Sequence, residues 1–125
     1  LDFLLDRWMA REGSITEEAY SEYFRCFSDP ATIRASCADY RAISLDLEHD
    51  EIDRGRKIDC PVLALWGSDM KKRPGWQTGK GLDMLQVWRD RAENVKGGPI
   101  DCGHFLAEEA PEDVLREVLQ FISKD

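Results

Sequence analysis

One histidine stands where general-base chemistry could be done. His104 falls in Val95-Lys96-Gly97-Gly98-Pro99-Ile100-Asp101-Cys102-Gly103-His104-Phe105-Leu106, which reads as a short strand running into a glycine turn. A helix is expected to follow, from Ala110-Pro111-Glu112-Asp113 onward. A turn at a strand end frees an imidazole from the sheet, and imidazoles titrate near neutrality, so such a group can take a proton from water. By residue type alone the same histidine could equally be structural or merely exposed. Cys102 lies two residues earlier, and in extended geometry the thiol and the imidazole point the same way, so a Cys102 nucleophile activated by His104 is a further reading. His49 sits among acids in a charged run and is assigned no role.

The elements that must hold this turn follow from periodicity. Cys60-Pro61-Val62-Leu63-Ala64-Leu65-Trp66-Gly67 is a continuous apolar run closed by glycine, the pattern of a buried parallel strand. Residues 68–81 read as a polar loop, the kind of segment that lines active sites after parallel strands. Residues 82–93 form an amphipathic helix with Leu82, Leu85, Val87 and Trp88 inward. The histidine strand comes next, then a helix over about 111–123 carrying Val114, Leu115, Val118, Leu119 and Ile122. Strand, helix, strand, helix is a βα repeat, which implies a parallel sheet with right-handed crossovers.

The first half reads as helical throughout. Residues 1–12 place Phe3, Leu4, Trp8 and Met9 at helical spacing with Leu5 beside them, and Gly13 can end the helix. Ser14-Ile15-Thr16-Glu17 has capping-box spacing, with Ser14 as N-cap of a helix over 16–28 whose apolar side is Tyr20, Tyr23, Phe24 and Phe27. Asp29-Pro30 starts a third helix, running to about 47 and burying Ile33, Cys37, Tyr40, Ile43, Ser44 and Leu47. A buried Tyr40 would need a partner for its hydroxyl. Residues 48–59 are densely charged and read as a short helix and a surface connector. The expected division is a helical segment over 1–55 and a β-α-β-α segment over 56–125.

Composition narrows the classes. The chain has 125 residues, 42% hydrophobic and 34% charged, enough for one domain with a buried core. Its formal net charge is −8, which argues against nucleic acid or an anionic membrane as partner, because phosphate would be repelled. No apolar run approaches the roughly 20 residues of a membrane span. The opening Leu1-Asp2-Phe3-Leu4-Leu5-Asp6 carries acids where a signal peptide would be basic. Cys26, Cys37, Cys60 and Cys102 are scattered without metal-site spacing, so no metal is expected, and the thiols fit a reducing cytoplasm. The chain opens on Leu, already in a helical pattern, which points to a piece of something longer.

Several segments together resemble a known family. They are Ile33-Arg34-Ala35-Ser36-Cys37-Ala38-Asp39-Tyr40-Arg41-Ala42, Asp46-Leu47-Glu48-His49-Asp50, the apolar strand at 60–67, Val87-Trp88-Arg89, and Cys102-Gly103-His104-Phe105-Leu106-Ala107-Glu108-Glu109-Ala110-Pro111-Glu112. They resemble the C-terminal part of the α/β-hydrolase superfamily, and within it the haloacetate (fluoroacetate) dehalogenase group. The G-H-F/W-x-x-E-E-x-P-E motif is shared with epoxide hydrolases, whereas R-A-S-C-x-D-Y-R-A is more selective for the dehalogenases.

The resemblance implies a partial α/β-hydrolase fold, with cap-type helices followed by a β-α-β-α unit with a parallel sheet. It implies a small haloacid as substrate of the intact enzyme, and no cofactor. An Asp nucleophile displaces the halide, and water activated by histidine then hydrolyses the resulting ester. His104 matches the catalytic histidine, and Tyr40 matches a tyrosine that contacts the departing halide. The family's G-x-D-x-G-like nucleophile turn, the arginines beside it and its His-Trp halide pair are not found in these 125 residues. Many α/β-hydrolases place the histidine's acid partner three residues after the strand-ending glycine. Met70 occupies that position here, and Asp69, one residue off, is the substitute candidate.

Two classes of function follow. In one, the chain is the His104- and Tyr40-bearing part of a dehalogenase-like hydrolase, or of an epoxide-hydrolase-like one, and is inactive by itself for want of a nucleophile. In the other it is a non-catalytic remnant or binding module. Two parallel strands cannot make a stable sheet alone, so either class implies a homo-oligomer or pairing with a missing N-terminal half.

Overall fold

The computed structural model describes residues 1–69 and 83–123. The chain divides into two units, one of Leu1 and Ile15–Arg56, the other of Asp2–Ser14 and Lys57–Asp125. Residues 2–14, grouped by pattern with the other N-terminal helices, thus pack in the unit that holds the sheet.

That second unit is built on two strands, β1 (Val62–Gly67) and β2 (Val95–Ile100), paired in parallel with Val62 opposite Val95 and Gly67 opposite Ile100. Around them stand α1 (Asp2–Trp8), α5 (Met84–Arg89), the four-residue α6 (Leu106–Glu109) and α7 (Pro111–Ile122). The parallel order and the helix between the strands are as the pattern implied. Ile100, Cys102 and Ala110 form the buried centre, with Leu65 and Leu106 packed on it. Burying a side chain of Ile100's size contributes about 2 kcal/mol.

The differences lie in length and burial. The first helix ends at Trp8, and of its expected inward side Leu5 is buried while Phe3 and Leu4 are exposed. The helix expected over 82–93 is shorter, with Val87 and Trp88 exposed; its Leu82, and residues 70–81 of the expected polar loop, lie outside the described residues. On α7, Leu115, Val118, Leu119 and Ile122 are all exposed. The spacing of these side chains is right for an apolar face, but among the described residues no element covers that face fully.

The other unit is α2 (Glu17–Phe27), α3 (Pro30–Arg41) and α4 (Ile43–Ile52). Thr16, not Ser14, caps α2: its hydroxyl oxygen accepts from Ala19 N at 3.2 Å, while the Ser14 hydroxyl donates to Arg11 O at 2.8 Å and so closes the turn after α1. Asp29 caps α3 through Ala31 N at 2.8 Å with Pro30 in the first turn, as its sequence implied. The single helix expected over 30–47 is two. The chain tightens at Ala42, whose N–H is shared between Ala38 O and Asp39 O. Ile33, Tyr40, Ile43 and Leu47 are exposed, against the expectation that they form a buried side.

Candidate active site around His104

The turn that carries His104 is welded to the end of β1. The N–H of Asp69 donates to Cys102 O at 3.1 Å. Gly67 closes β1 where a Cβ would stand 1.8 Å from Gly103 O, so the two backbones approach as only glycine allows. Ser68 Oγ meets Asp101 Oδ1 at 3.3 Å. The histidine turn is therefore fixed by the strand next to its own.

A second set of bonds ties the turn to the segment after α1. The N–H of His104 donates to Trp8 O at 2.9 Å. The His104 ring stands edge-on to Trp8, with centroids 4.6 Å apart, and edge-on to Phe105 at 5.2 Å. Glu109 is buried at 4% exposure, and its carboxylate gathers four backbone donors. Gly103 N, Ala10 N and Arg11 N reach Oε2 at 2.9, 2.8 and 3.0 Å, and Phe105 N reaches Oε1 at 3.0 Å. Burial by itself would raise the Glu109 pKa, but those four N–H groups outweigh it and hold the carboxyl below its ordinary value. The Arg11 guanidinium donates to Glu109 O at 2.7 Å and to Asp101 O, closing the loop from outside.

The residues singled out from sequence fare differently. His104 is exposed, four residues past the carboxyl end of β2. Asp69 is half-buried and is joined through its backbone to the same turn. Tyr40 lies on α3 in the other unit, and at 67% exposure it is not the buried tyrosine that helix spacing implied. Cys102 is buried at 2% while His104 is exposed, so the two side chains do not share a side as extended geometry had suggested. Burial, with the Glu109 carboxylate, pushes the Cys102 thiol pKa up, which opposes a thiolate nucleophile. Among the described residues no group of His, Cys, Asp and Glu could hold a metal ion.

Glu109, Arg11 and Trp8 are the site residues that sequence reasoning missed. Glu108 and Glu109 are adjacent acids before a helix, and an acid in that place is ordinary surface chemistry. The available hint was Gly103-His104 followed by a paired acid at helical distance from the turn. Nothing local shows that the second acid turns inward to meet residues 10 and 11.

No family model matches the chain. It is 35% identical over 107 residues to a fluoroacetate dehalogenase of Burkholderia sp, covering 85% of this chain and 33% of that protein. It is 34% identical over 110 residues to a soluble epoxide hydrolase of Corynebacterium sp. (strain C12), covering 86% of this chain and 35% of that one. The chain thus spans about a third of the length of these curated relatives. A crystal structure of a Nostoc sp PCC 7120 protein designated an alpha/beta hydrolase superposes on all of the chain (100%) and on 41% of its own, with a TM-score of 0.88 and 44% identity.

Proposed function

This chain belongs to the α/β-hydrolase superfamily and carries the C-terminal part of its fold, and on that premise we propose that His104 is the water-activating base of a hydrolase that works through an ester intermediate. The observation that carries this reading is the presentation of the imidazole: exposed, four residues past the carboxyl end of a parallel strand, on a turn bonded to β1 and to residues 8–11. In the reading we favour, a carboxylate oxygen supplied from outside these residues attacks the 2-carbon of a haloacid. The carbon–halogen bond breaks and the halide leaves with the electron pair. His104 then takes a proton from water as the water oxygen adds to the ester carbonyl and returns it to the departing alkoxide as the intermediate collapses, which releases a 2-hydroxy acid and a carboxyl group that ionises to solvent. By the family resemblance Tyr40 is the candidate donor to the departing halide, and Asp69 is the candidate acid that orients His104.

The likeness to a soluble epoxide hydrolase supports a second reading equally. There the carboxylate oxygen attacks an epoxide carbon, that carbon's bond to the ring oxygen breaks, the freed oxygen takes a proton from water and stays on the product as an alcohol, and the histidine-driven hydrolysis of the ester is unchanged. The two readings share the ester hydrolysis and differ in the first step, where halide departs in one and the ring oxygen stays on the product in the other.

Fragment complementation tests this. The chain is mixed with the part of the Burkholderia fluoroacetate dehalogenase that lies outside the matched region, and halide release from fluoroacetate and chloroacetate is measured beside hydration of a small epoxide. Halide release that depends on both pieces and vanishes with His104→Ala is expected. Epoxide hydration alone would select the second reading. Halide release by the chain alone would place a nucleophile within these residues and sink the account of a divided site.

A further inference from the structure

We propose that Glu109 is the positioning residue of His104: its carboxylate, bonded to the N–H groups on both sides of the histidine and to those of Ala10 and Arg11, sets where the imidazole stands. The geometry is specific to the histidine. Gly103 N and Phe105 N flank His104 and go to the two different oxygens of one carboxylate, at 2.9 Å to Oε2 and 3.0 Å to Oε1. The intervening His104 N–H goes to Trp8 O at 2.9 Å. Three consecutive amides around the ring are thereby committed, leaving the backbone at His104 little freedom to turn. The same Oε2 also receives Ala10 N and Arg11 N, so the carboxylate locks the histidine turn onto the segment whose Trp8 ring packs edge-on against the imidazole. Arg11 reinforces the arrangement through the carbonyls of Asp101 and Glu109, at either end of the loop.

An anion is needed here rather than any acceptor. Four N–H groups converge on two oxygens, and a carboxylate accepts all of them with charge-assisted bonds. A neutral amide offers one oxygen and turns its NH2 toward the remaining donor, leaving that donor facing another donor in a buried place. Glu109 touches neither water at the base nor any reacting atom in this scheme; it acts through His104. The proposal rests on the reading of His104 as the base, but its test does not use turnover.

The experiment is amide hydrogen exchange and histidine side-chain NMR on the 125-residue chain, for the native sequence and for Glu109→Gln. In the native chain the amides of Ala10, Arg11, Gly103 and Phe105 should all be protected, and the His104 ring protons should carry a ring-current shift from Trp8. In Glu109→Gln, exchange at Phe105 should quicken about tenfold or more, and the His104 ring signals should move toward their free position. Trp8→Leu with Glu109 intact should remove the ring-current shift and keep the four amides protected, which assigns the shift to its source. Should Glu109→Gln not fold, fast exchange at those four amides in the native chain would by itself overturn the proposal, and slow exchange shared by all four would support it. A Glu109→Gln chain that melts earlier with unmoved His104 signals would show Glu109 to be structural only. If His104 moves as stated while complementation yields no hydrolysis, the hydrolase reading fails and the positioning role stands.

Discussion

Gly103 has no room for a methyl group. A Cβ there would lie 2.6 Å from Ala10 N, 2.7 Å from Glu109 Oε1 and 2.8 Å from Trp8 O. Two of these neighbours are backbone and the third belongs to a carboxylate that accepts four backbone hydrogen bonds in all, so none can give way cheaply. Gly103→Ala should therefore cost about 3 kcal/mol, at the top of the usual range for overpacking, and should displace His104 as well; urea unfolding of the chain measures the cost. Glu109 adds a pH dependence. Its carboxyl is held below its ordinary value of 4.5 in the folded chain, so in the acid range the folded state binds fewer protons than the unfolded state. The stability it contributes is complete above that ordinary value and is lost as the pH falls through the lowered folded value. The urea midpoint of the native chain should accordingly fall toward that of Glu109→Gln as the pH is lowered from neutrality through 4.5 and below. A gap between the two that stays constant over that range would show that Glu109 does not titrate with folding.

At the scale of elements, caps and breaks follow the hydrogen bonds available locally. Thr16 rather than Ser14 starts α2: the Thr16 oxygen accepts from Ala19 N, while the Ser14 hydroxyl donates to Arg11 O within the turn after α1. Thr16→Ala should lower the stability of the helical unit by about 1 kcal/mol and expose the Ala19 amide to exchange, while Ser14→Ala should leave that amide protected. The break at Ala42 carries no sequence signal, for neither Gly nor Pro stands there; the tightening of the last turn of α3 makes it. By contrast β1, the parallel pairing and the Asp29-Pro30 helix start were all legible. An unbroken apolar run closed by glycine and a capping residue before proline are signals whose physical cause is local.

At the scale of the molecule, the sheet is short of strands. Among the described residues it has two, in parallel, and Pro99 within β2 marks that strand as an edge, since proline lacks the N–H that an interior strand would use. A further strand would then pair with β1. The exposed apolar face of α7 (Leu115, Leu119, Ile122) likewise lacks cover among the described residues. Surfaces of this kind drive association. Light scattering of the purified chain should give a mass above that of a monomer, decreasing on dilution, and adding a sheet-completing fragment should compete with that self-association. A strictly monomeric chain at all concentrations would contradict this. No helix among the described residues is long and apolar enough to cross a membrane.

The sequence by itself determined the order and kind of the main elements, the parallel strand pair and the exposed turn bearing His104, because periodicity, glycine and proline act within a few residues. Tertiary structure alone decided which side chains are covered. Tyr40, Ile33 and Leu119 have helical spacing for burial and stand exposed, because a face is buried only when another element meets it. Tertiary structure alone also chose Glu109 over Glu108 as the acid that turns inward. Two of its donors come from Ala10 and Arg11, 99 and 98 residues away in sequence, and no local pattern carries a bond of that reach.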